Sequence, residues 1–229
     1  MAGDDAAGRA AIQLAMARDV SRETILRLET YRQLLEKWQQ TINLVGPSTI
    51  PEFWTRHVAD SAQLLTLVPK TARKWVDLGS GGGFPGLVIA QIWAERAPEE
   101  AAIVHLVESD GRKCAFLRTV IRETGAPAAV HEGRIEDLIA QKPDVFAGTD
   151  IVSARALAPL PKLLDLSTPY FDIHTIGMFM KGQGWQDELT QAQQYWNINP
   201  KVVSSRTDKA GKIIVCQHPV RHHGPIGTS

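Results

Sequence analysis

Apolar residues recur along this chain in two rhythms. From Ser21 to Ile42 they fall at Ile25, Leu28, Leu35, Trp38 and Ile42, with Tyr31 or Leu34 between. Separations of three, four and seven place them on one helical face, and Ser21 is a suitable N-cap. Gly46 and Pro47 break that helix, and Phe53, Trp54, Val58, Leu64, Leu65 and Val68 define a second over about 51–68. Beyond it the rhythm changes to short apolar runs at 75–78, 103–107, 128–131, 149–156 and 176–180, separated by helical patterns. Such runs are expected of strands buried on both faces of a parallel sheet. A helical stretch over 185–196 follows, then runs at 202–205 and 213–216 around the polar turn Asp208-Lys209-Ala210-Gly211, which predict a closing hairpin. The expected architecture is α/β: a seven-stranded, mostly parallel, Rossmann-like sheet with an antiparallel last strand over 71–217, behind an N-terminal helical cap over 21–70. The alanine-rich, polar stretch 1–20 reads as a flexible extension and 218–229 as a disordered tail.

At 229 residues the chain accommodates one α/β domain with a short appendage, and 25 Lys and Arg balance 25 Asp and Glu. Net neutrality disfavours indiscriminate nucleic-acid binding but leaves room for a local basic face. Cys114 and Cys216 stand apart with no C-x-x-C, and His222 and His223 lack acids or cysteines at ligand spacing, so neither a disulfide framework nor a metal site is expected. The N-terminus carries acids and no apolar core of an export signal, and no apolar run is long enough to span a membrane. The expectation is a cytoplasmic, monomeric protein without a membrane span.

The chemistry concentrates in Trp75-Val76-Asp77-Leu78-Gly79-Ser80-Gly81-Gly82-Gly83-Phe84-Pro85-Gly86, a strand running into a glycine-crowded turn before the helix begun by Leu87, Val88 and Ile89. Glycine lets the backbone take positive φ and lets a ligand approach it with no Cβ between. Two patterns overlap there. Gly81, Gly83 and Gly86 satisfy the dinucleotide fingerprint G-x-G-x-x-G. Asp77, Gly79, Gly81 and Gly83 satisfy D-x-G-x-G-x-G, which resembles motif I of the class I S-adenosylmethionine-dependent methyltransferases. A carboxylate ahead of the loop repels a pyrophosphate but accepts hydrogen bonds from loop amides or a cationic amino acid moiety, which favours the methionine-derived cofactor. No G-K-[ST] follows the glycines, so a Walker A loop is excluded.

Glu108 closes the second strand, where a carboxylate can accept the hydroxyl protons of a cofactor ribose. Arg155 emerges at the carboxyl end of the fourth strand and Lys181 at that of the fifth, over the crevice in which open α/β sheets bind ligands. A cation there can hold a carboxylate, a phosphate or a guanine edge. Arg112 and Lys113 begin the helix after Glu108, where the macrodipole disfavours cations, and that small penalty on the ligand side of the sheet points to phosphate contact. Two stretches stay open. Ile135 and Glu136 either flank an adenine, one on its face and one at its edge, or begin a short helix. His57, Asp60 and Ser61 share one helical face, either as a solvated or packing polar set or as functional residues. Some chemistries are excluded. There is no G-x-S-x-G elbow for a nucleophilic triad, no [DN]-P-P-[YF] after the fourth strand for amino-group methylation, and neither cysteine is placed to attack a pyrimidine.

Taken in order, Asn43-Leu44-Val45-Gly46, His57-Val58-Ala59-Asp60-Ser61, the run from Val76 to Gly86, the run from Leu106 to Leu117, Arg134-Ile135-Glu136-Asp137-Leu138, Ser153-Ala154-Arg155-Ala156 and Met180-Lys181-Gly182 resemble the RsmG family, also called GidB, over about residues 20–217. These are bacterial 16S rRNA guanine-N7 methyltransferases. The resemblance implies S-adenosyl-L-methionine as cofactor and 16S rRNA or a small-subunit assembly intermediate as partner. It implies that Gly79, Phe84, Ile135, Glu136 and Arg155 line the cofactor site, joined by Glu108 at the ribose, although many members carry Asp at that place. Substrate orientation falls to His57, Arg155 and Lys181, His57 either shaping the RNA pocket or positioning Arg155, and with RNA as partner Arg112, Lys113 and Lys181 are the expected RNA-facing charges. No residue is expected to act as acid or base, because guanine N7 carries a lone pair and no proton. Two other classes are weighed against this: a nicotinamide-dependent oxidoreductase, opposed by Asp77 and the terminal hairpin, and a non-enzymatic RNA-binding module, opposed by the intact glycines and Glu108.

Overall fold

The computed structural model describes residues 2–16, 19–96 and 100–222. Five parallel strands, β1 (Lys74–Leu78), β2 (Ile103–Glu108), β3 (Ala128–Glu132), β4 (Ile151–Arg155) and β5 (Ile176–Lys181), alternate with helices. A short β6 (Trp196–Asn197) precedes the hairpin of β7 (Lys201–Ser204) and β8 (Lys212–Gln217), and β9 (Val220–Arg221) follows it. The main sheet runs β3-β2-β1-β4-β5-β8-β7. Strand β8 is antiparallel to both neighbours, so the edge strand β7 points the same way as β5. The strand order reverses between β1 and β4, which opens a crevice at their carboxyl ends.

Helices α1 (Ala2–Met16), α2 (Arg22–Gln39), α3 (Asp60–Ala62), α4 (Gly86–Trp93) and α5 (Gly111–Thr124) cover one face of the sheet. Helices α6 (Ile135–Gln141), α7 (Pro143–Phe146), α8 (Leu160–Ser167) and α9 (Trp185–Gln193) cover the other. Trp75 and Val104 point into the first layer and Val76 and Val107 into the second, the alternation that a pleated strand imposes. Helix α2 starts where Ser21 Oγ accepts the Thr24 amide at 3.1 Å, and α5 stops at Gly125 in the left-handed conformation. Among the described residues no helix is long and apolar enough to cross a membrane.

Three expectations change. The stretch 1–20 holds α1, which buries Ile12 and Ala15 and accepts a 2.8 Å hydrogen bond from Arg206 at the Ala15 carbonyl. Alanine favours the helix, and a few apolar positions on one face suffice to dock it. The helix expected over 51–68 is composite: 3-10 turns at Pro47–Glu52 and Gln63–Leu67 enclose a π-helical turn, Phe53–Ala59, and α3. The wider π turn lets Phe53, His57, Val58 and Ala59 all face inward. Finally, Val220 and Arg221 of the expected tail pair with Asn197 and Trp196, and the Arg221 guanidinium lies over the Trp196 ring. The remainder of that tail, 223–229, lies outside the described residues.

On the second face, His105 Nδ1 and His131 Nε2 share a hydrogen bond at 2.9 Å, with Phe146 edge-on to both rings. Burial and then the neighbouring His131 hold His105 down at about 4, and burial lowers His131 as well. An unfolded chain takes up these protons near pH 6.5. The unfolded state therefore binds more protons below that point, and stability falls as pH drops from about 6.5 towards 4. Urea denaturation of the wild type and a His105→Leu/His131→Leu variant, near pH 7 and again about pH 4.5, isolates this contribution. The wild type should lose about 2 kcal/mol more than the variant across that interval; equal losses would show that the pair is not linked to folding.

Candidate functional site

A buried carboxylate seats the glycine loop. Asp77 Oδ1 accepts the Ser153 hydroxyl at 2.6 Å, the Ser153 oxygen accepts the Trp75 indole N–H at 2.7 Å, and Asp77 Oδ2 accepts the Gly86 amide at 3.2 Å. Burial pushes the carboxyl up to about 6 against these hydrogen bonds. Of the two roles expected of Asp77 the structure shows the first, acceptance of a backbone amide at the end of the loop: the side chain lies beneath the loop and ties β1 to β4 and to the first turn of α4. Gly79, Gly81 and Gly83 all have positive φ, at 66°, 54° and 92°. They are not equivalent. A Cβ on Gly83 would come within 2.6 Å of Leu87 and of the Tyr31 hydroxyl, and one on Gly79 within 2.5 Å of Leu157. At Gly81 the nearest atom is the Gly79 carbonyl oxygen, 3.8 Å away.

Gly81 opens on a cavity of about 740 Å³ at the carboxyl ends of β1, β2 and β4. The structure brings His57, Gly79, Gly81, Phe84, Glu108, Lys113, Ile135, Glu136 and Arg155 together in its wall, with Asp77 and Gly83 behind it. Glu108 Oε2 accepts the Gly81 amide at 2.9 Å, and Oε1 accepts the amides of Ser109 and Asp110 at 2.8 and 2.9 Å. A carboxylate offers about four lone-pair directions, so one on Oε2 remains for a ligand hydroxyl. Ile135 is buried, while Glu136 is exposed with Lys162 at 3.9 Å. The wall also contains residues 43–46 and Arg134, which the sequence reading missed. Asn43-Leu44-Val45-Gly46 enters that reading as a helix breaker and as one motif of the family resemblance, with no place in the site, yet two apolar residues just past a helix end were a signal of packing. A Cβ on Gly82 would sit 3.0 Å from the Leu44 carbonyl oxygen, so that segment lies directly on the glycine turn.

His57 is held as a neutral ring. It stacks on Phe84 at 4.5 Å, its Nε2 is hydrogen-bonded with Thr49 Oγ1 at 2.9 Å, and its Nδ1 is buried without a hydrogen-bond partner among the described residues. Burial, then Arg155 and Arg56, hold the imidazole down at about 3. Arg155 is positioned by the backbone of the π turn rather than by the imidazole: Nη2 donates to the Arg56 carbonyl at 2.9 Å, and Asp60 Oδ2 lies 3.7 Å from Nη1. Both thiols are buried and pushed up by burial, Cys114 to about 11 and Cys216 to about 12, and so are poor nucleophiles.

Lys181 is not the RNA-facing charge expected of it. Its side chain is 8% exposed, the ammonium donates to the Ala158 carbonyl at 2.8 Å and pairs with Glu188 at 2.6 Å, and Glu188 accepts the Leu160 amide at 2.7 Å. The strand end points inward because the loop after β4 folds over it. Lys181 lies in the wall of a second cavity, of about 440 Å³, which shares residues 155–158 with the first. Arg112 is exposed, as expected, and Asp110 caps α5 by accepting the Arg112 and Lys113 amides at 2.8 and 3.3 Å. That cap offsets the dipole penalty on the two cations.

A sheet ordered 3-2-1-4-5 and closed by an antiparallel hairpin, with glycine loop and strand-tip acid in one cavity, defines the class I S-adenosylmethionine-dependent methyltransferase fold. Solved structures share it: the O-methyltransferase from Bacillus cereus in complex with SAH has a TM-score of 0.57, covering 84% of this chain and 90% of that one at 12% identity. MtNAS in complex with MTA and tNA has a TM-score of 0.55, covering 84% and 69% at 16% identity. The profile of the GidB family, rRNA small subunit methyltransferase G, matches residues 24–217. Ribosomal RNA small subunit methyltransferase G of Parvibaculum lavamentivorans is 53% identical over 209 residues, 91% of this chain and 88% of that protein. The protein of the same name from Bradyrhizobium sp. strain BTAi1 is 50% identical over 204 residues, 89% of each. The chain belongs to the rRNA small subunit methyltransferase G family.

Replacing Lys181 by Met would leave Glu188 without its cation and the Ala158 carbonyl without the ammonium donor, at a cost of about 1–3 kcal/mol of stability. Arg112→Ala, at an exposed position, should change stability by less than about 0.5 kcal/mol. Urea denaturation of both variants checks this, and equal small effects would return Lys181 to the solvent-facing reading.

Proposed function

We propose that this chain methylates N7 of a guanine in 16S rRNA, using S-adenosyl-L-methionine and acting as a cytoplasmic monomer on the RNA or on a small-subunit assembly intermediate. One observation carries the reading. The Gly81 amide and the Glu108 carboxylate meet in one cavity wall, and a Cβ on Gly81 would enter that cavity rather than the protein. The residues present suit the cofactor. Glu108 keeps a lone pair for a ribose hydroxyl, Ile135 offers an apolar surface to an adenine face and Glu136 an acceptor at its edge. When bound, S-adenosylmethionine supplies a methyl group made electrophilic by its sulfonium.

Guanine N7 bears a lone pair and no proton, so the chain has to align the base and exclude water rather than take up a proton. Its side chains match that demand. His57 stays neutral, Asp77 lies under the loop, Glu108 is committed to three amides, and the thiols are protonated. Arg155 stands where the two cavities meet, a cation available to orient the substrate. Lys113, Arg134 and Lys162 in the cavity wall, with exposed Arg112 nearby, supply positive charge for RNA phosphates.

Gly81→Ala tests the cofactor assignment. An alanine with positive φ costs about 1–2 kcal/mol, which leaves the domain folded, and its Cβ stands where the ligand approaches. Titration with S-adenosylmethionine should show affinity reduced at least about 10-fold, the range of a lost close contact. Unaltered affinity in a folded variant would place the cofactor elsewhere.

The reaction itself is read by chemical cleavage at 7-methylguanosine in small-subunit rRNA incubated with enzyme and cofactor, where the mark should appear at one guanine. Its absence rejects the substrate. On the same RNA the single-turnover rate should be flat across neutral pH, because no proton leaves N7. A steep rise following one ionisation near neutrality rejects the base-free mechanism.

A further inference from the structure

We propose that the 440 Å³ cavity seats the target base and that Asp60 is the residue that recognises it as guanine; this rests on the guanine-N7 reading above. An enzyme that modifies a base atom needs a pocket for a base taken out of its stack. This cavity adjoins the cofactor cavity along residues 155–158 and is closed on its far side by the turn between β7 and β8. Met180 lends it an apolar, polarizable surface, and exposed Arg56 at its edge can meet a flanking phosphate.

Two polar groups face each other here without being satisfied. Asp60 Oδ1 is saturated, accepting from Gln63 Nε2 at 2.8 Å, Ser205 Oγ at 3.1 Å and Thr207 Oγ1 at 2.6 Å. Among the described residues Oδ2 accepts no hydrogen bond, and its nearest cation, Arg155 Nη1, is 3.7 Å away. Nη1 is itself buried with no hydrogen-bond partner among the described residues. A buried donor left unpaired costs free energy that a bound group recovers.

An acceptor and a donor side by side match the adjacent N1–H donor and O6 acceptor of guanine. Asp60 Oδ2 takes the N1–H and Arg155 donates to O6, which leaves the N7 side of the ring free. Adenine carries the reverse pattern, an acceptor at N1 and a donor at N6, and would set like against like. The π turn acquires a purpose in the same geometry. It delivers the Arg56 carbonyl to Arg155, and Asp60 directly after it reaches the β7–β8 turn.

Asp60→Asn tests the assignment, because Gln63 Nε2 can donate only to an oxygen. The carboxamide oxygen therefore occupies the Oδ1 place and the amide NH2 replaces Oδ2, inverting the polarity shown to the base. The probes are small-subunit rRNAs carrying guanosine or 2-aminopurine at the position that the wild type methylates. 2-Aminopurine keeps N7 but lacks O6 and presents N1 as an acceptor. In kcat/KM the wild type should prefer guanosine by about 10- to 100-fold, the discrimination expected of a bidentate contact. Asp60→Asn should narrow that preference to within about 3-fold while S-adenosylmethionine affinity changes less than about twofold. An unchanged preference in a variant that binds cofactor overturns the proposal.

Gly182→Leu supplies a second arm should Asp60→Asn fail to fold. Gly182 lines the cavity, and a Cβ there meets nothing within 4 Å, so a leucine starts into open space without strain at its Cβ. The KM for RNA should rise at least about 10-fold with cofactor affinity unchanged, and wild-type kinetics would equally overturn the proposal. A wild-type enzyme that leaves no N7 mark on guanosine rejects the function reading and this one with it. That arm is read first, so the two failures are distinguishable.

Discussion

Asp77 is a carboxylate almost wholly removed from water, and the cofactor side of the molecule depends on how its charge is met. Desolvation alone raises its pKa, and the hydrogen bonds from Ser153 and Gly86 work against that. Each donor belongs to a different element, so satisfying one acid joins β1, β4 and α4. Gly86 makes this possible, because a Cβ there would lie 2.4 Å from Leu106 and 2.8 Å from Asp77 Oδ2. Helix α4 can approach the carboxylate only if its first residue has no side chain. With the loop held from below by Asp77, the Glu108 carboxylate meets the Gly81 amide from the side, and the space between is left for a ligand. Two acids near one glycine loop thus divide the labour, one buried for architecture and one at the cavity surface.

The helical cap belongs to the site as much as the sheet does. Tyr31 of α2 donates from its hydroxyl to the Gly82 carbonyl and stacks on Phe84 at 5.3 Å, while Phe84 stacks on His57. This file of rings connects α2, the glycine turn and the π turn, so the cap cannot shift without moving the cofactor cavity. The π turn in turn holds Arg155, whose side chain stands between the two cavities. Cofactor space and base space therefore share one positioned cation, and both depend on packing that begins outside the sheet.

Much of this was legible from the chain because it is local. Short apolar runs of Val, Ile and Leu announce buried strands, glycines with positive φ announce a ligand loop, and an acid at a strand tip announces a ribose. The contrast between Asp77 and Glu108 was harder, since both are acids at strand ends and only burial separates them. Period two does not separate them either: Asp77 shares a strand face with Trp75 and Glu108 with Val104, and both faces turn to the first helical layer. Lys181 misled because its partner, Glu188, lies across a loop whose path depends on tertiary packing. The π turn has no periodic signature either, as separations of three and four suit it and an α-helix alike. Helix α1 is readable as helix from alanine content, but that Ile12 finds a surface to bury against is a property of the folded cap.

Methylation at N7 leaves the base cationic, and the electrostatics around the second cavity bear on that product directly. A unit charge about 4 Å away contributes on the order of 4 kcal/mol at an effective dielectric near 20, so each ionised side chain beside the base matters. Arg155 opposes the growing positive charge, and Asp60, held 3.7 Å from it, offsets that opposition while still serving as an acceptor. A charged imidazole at His57, in the wall of the adjoining cofactor cavity, would add a further cation beside Arg155. The structure prevents it: burial and the two neighbouring arginines keep His57 neutral down to about 3. The same arginines that orient an anionic substrate therefore add to burial in keeping the neighbouring imidazole uncharged. His57 can remain in the wall as a packed aromatic surface against Phe84 without imposing a pH dependence of its own near neutrality.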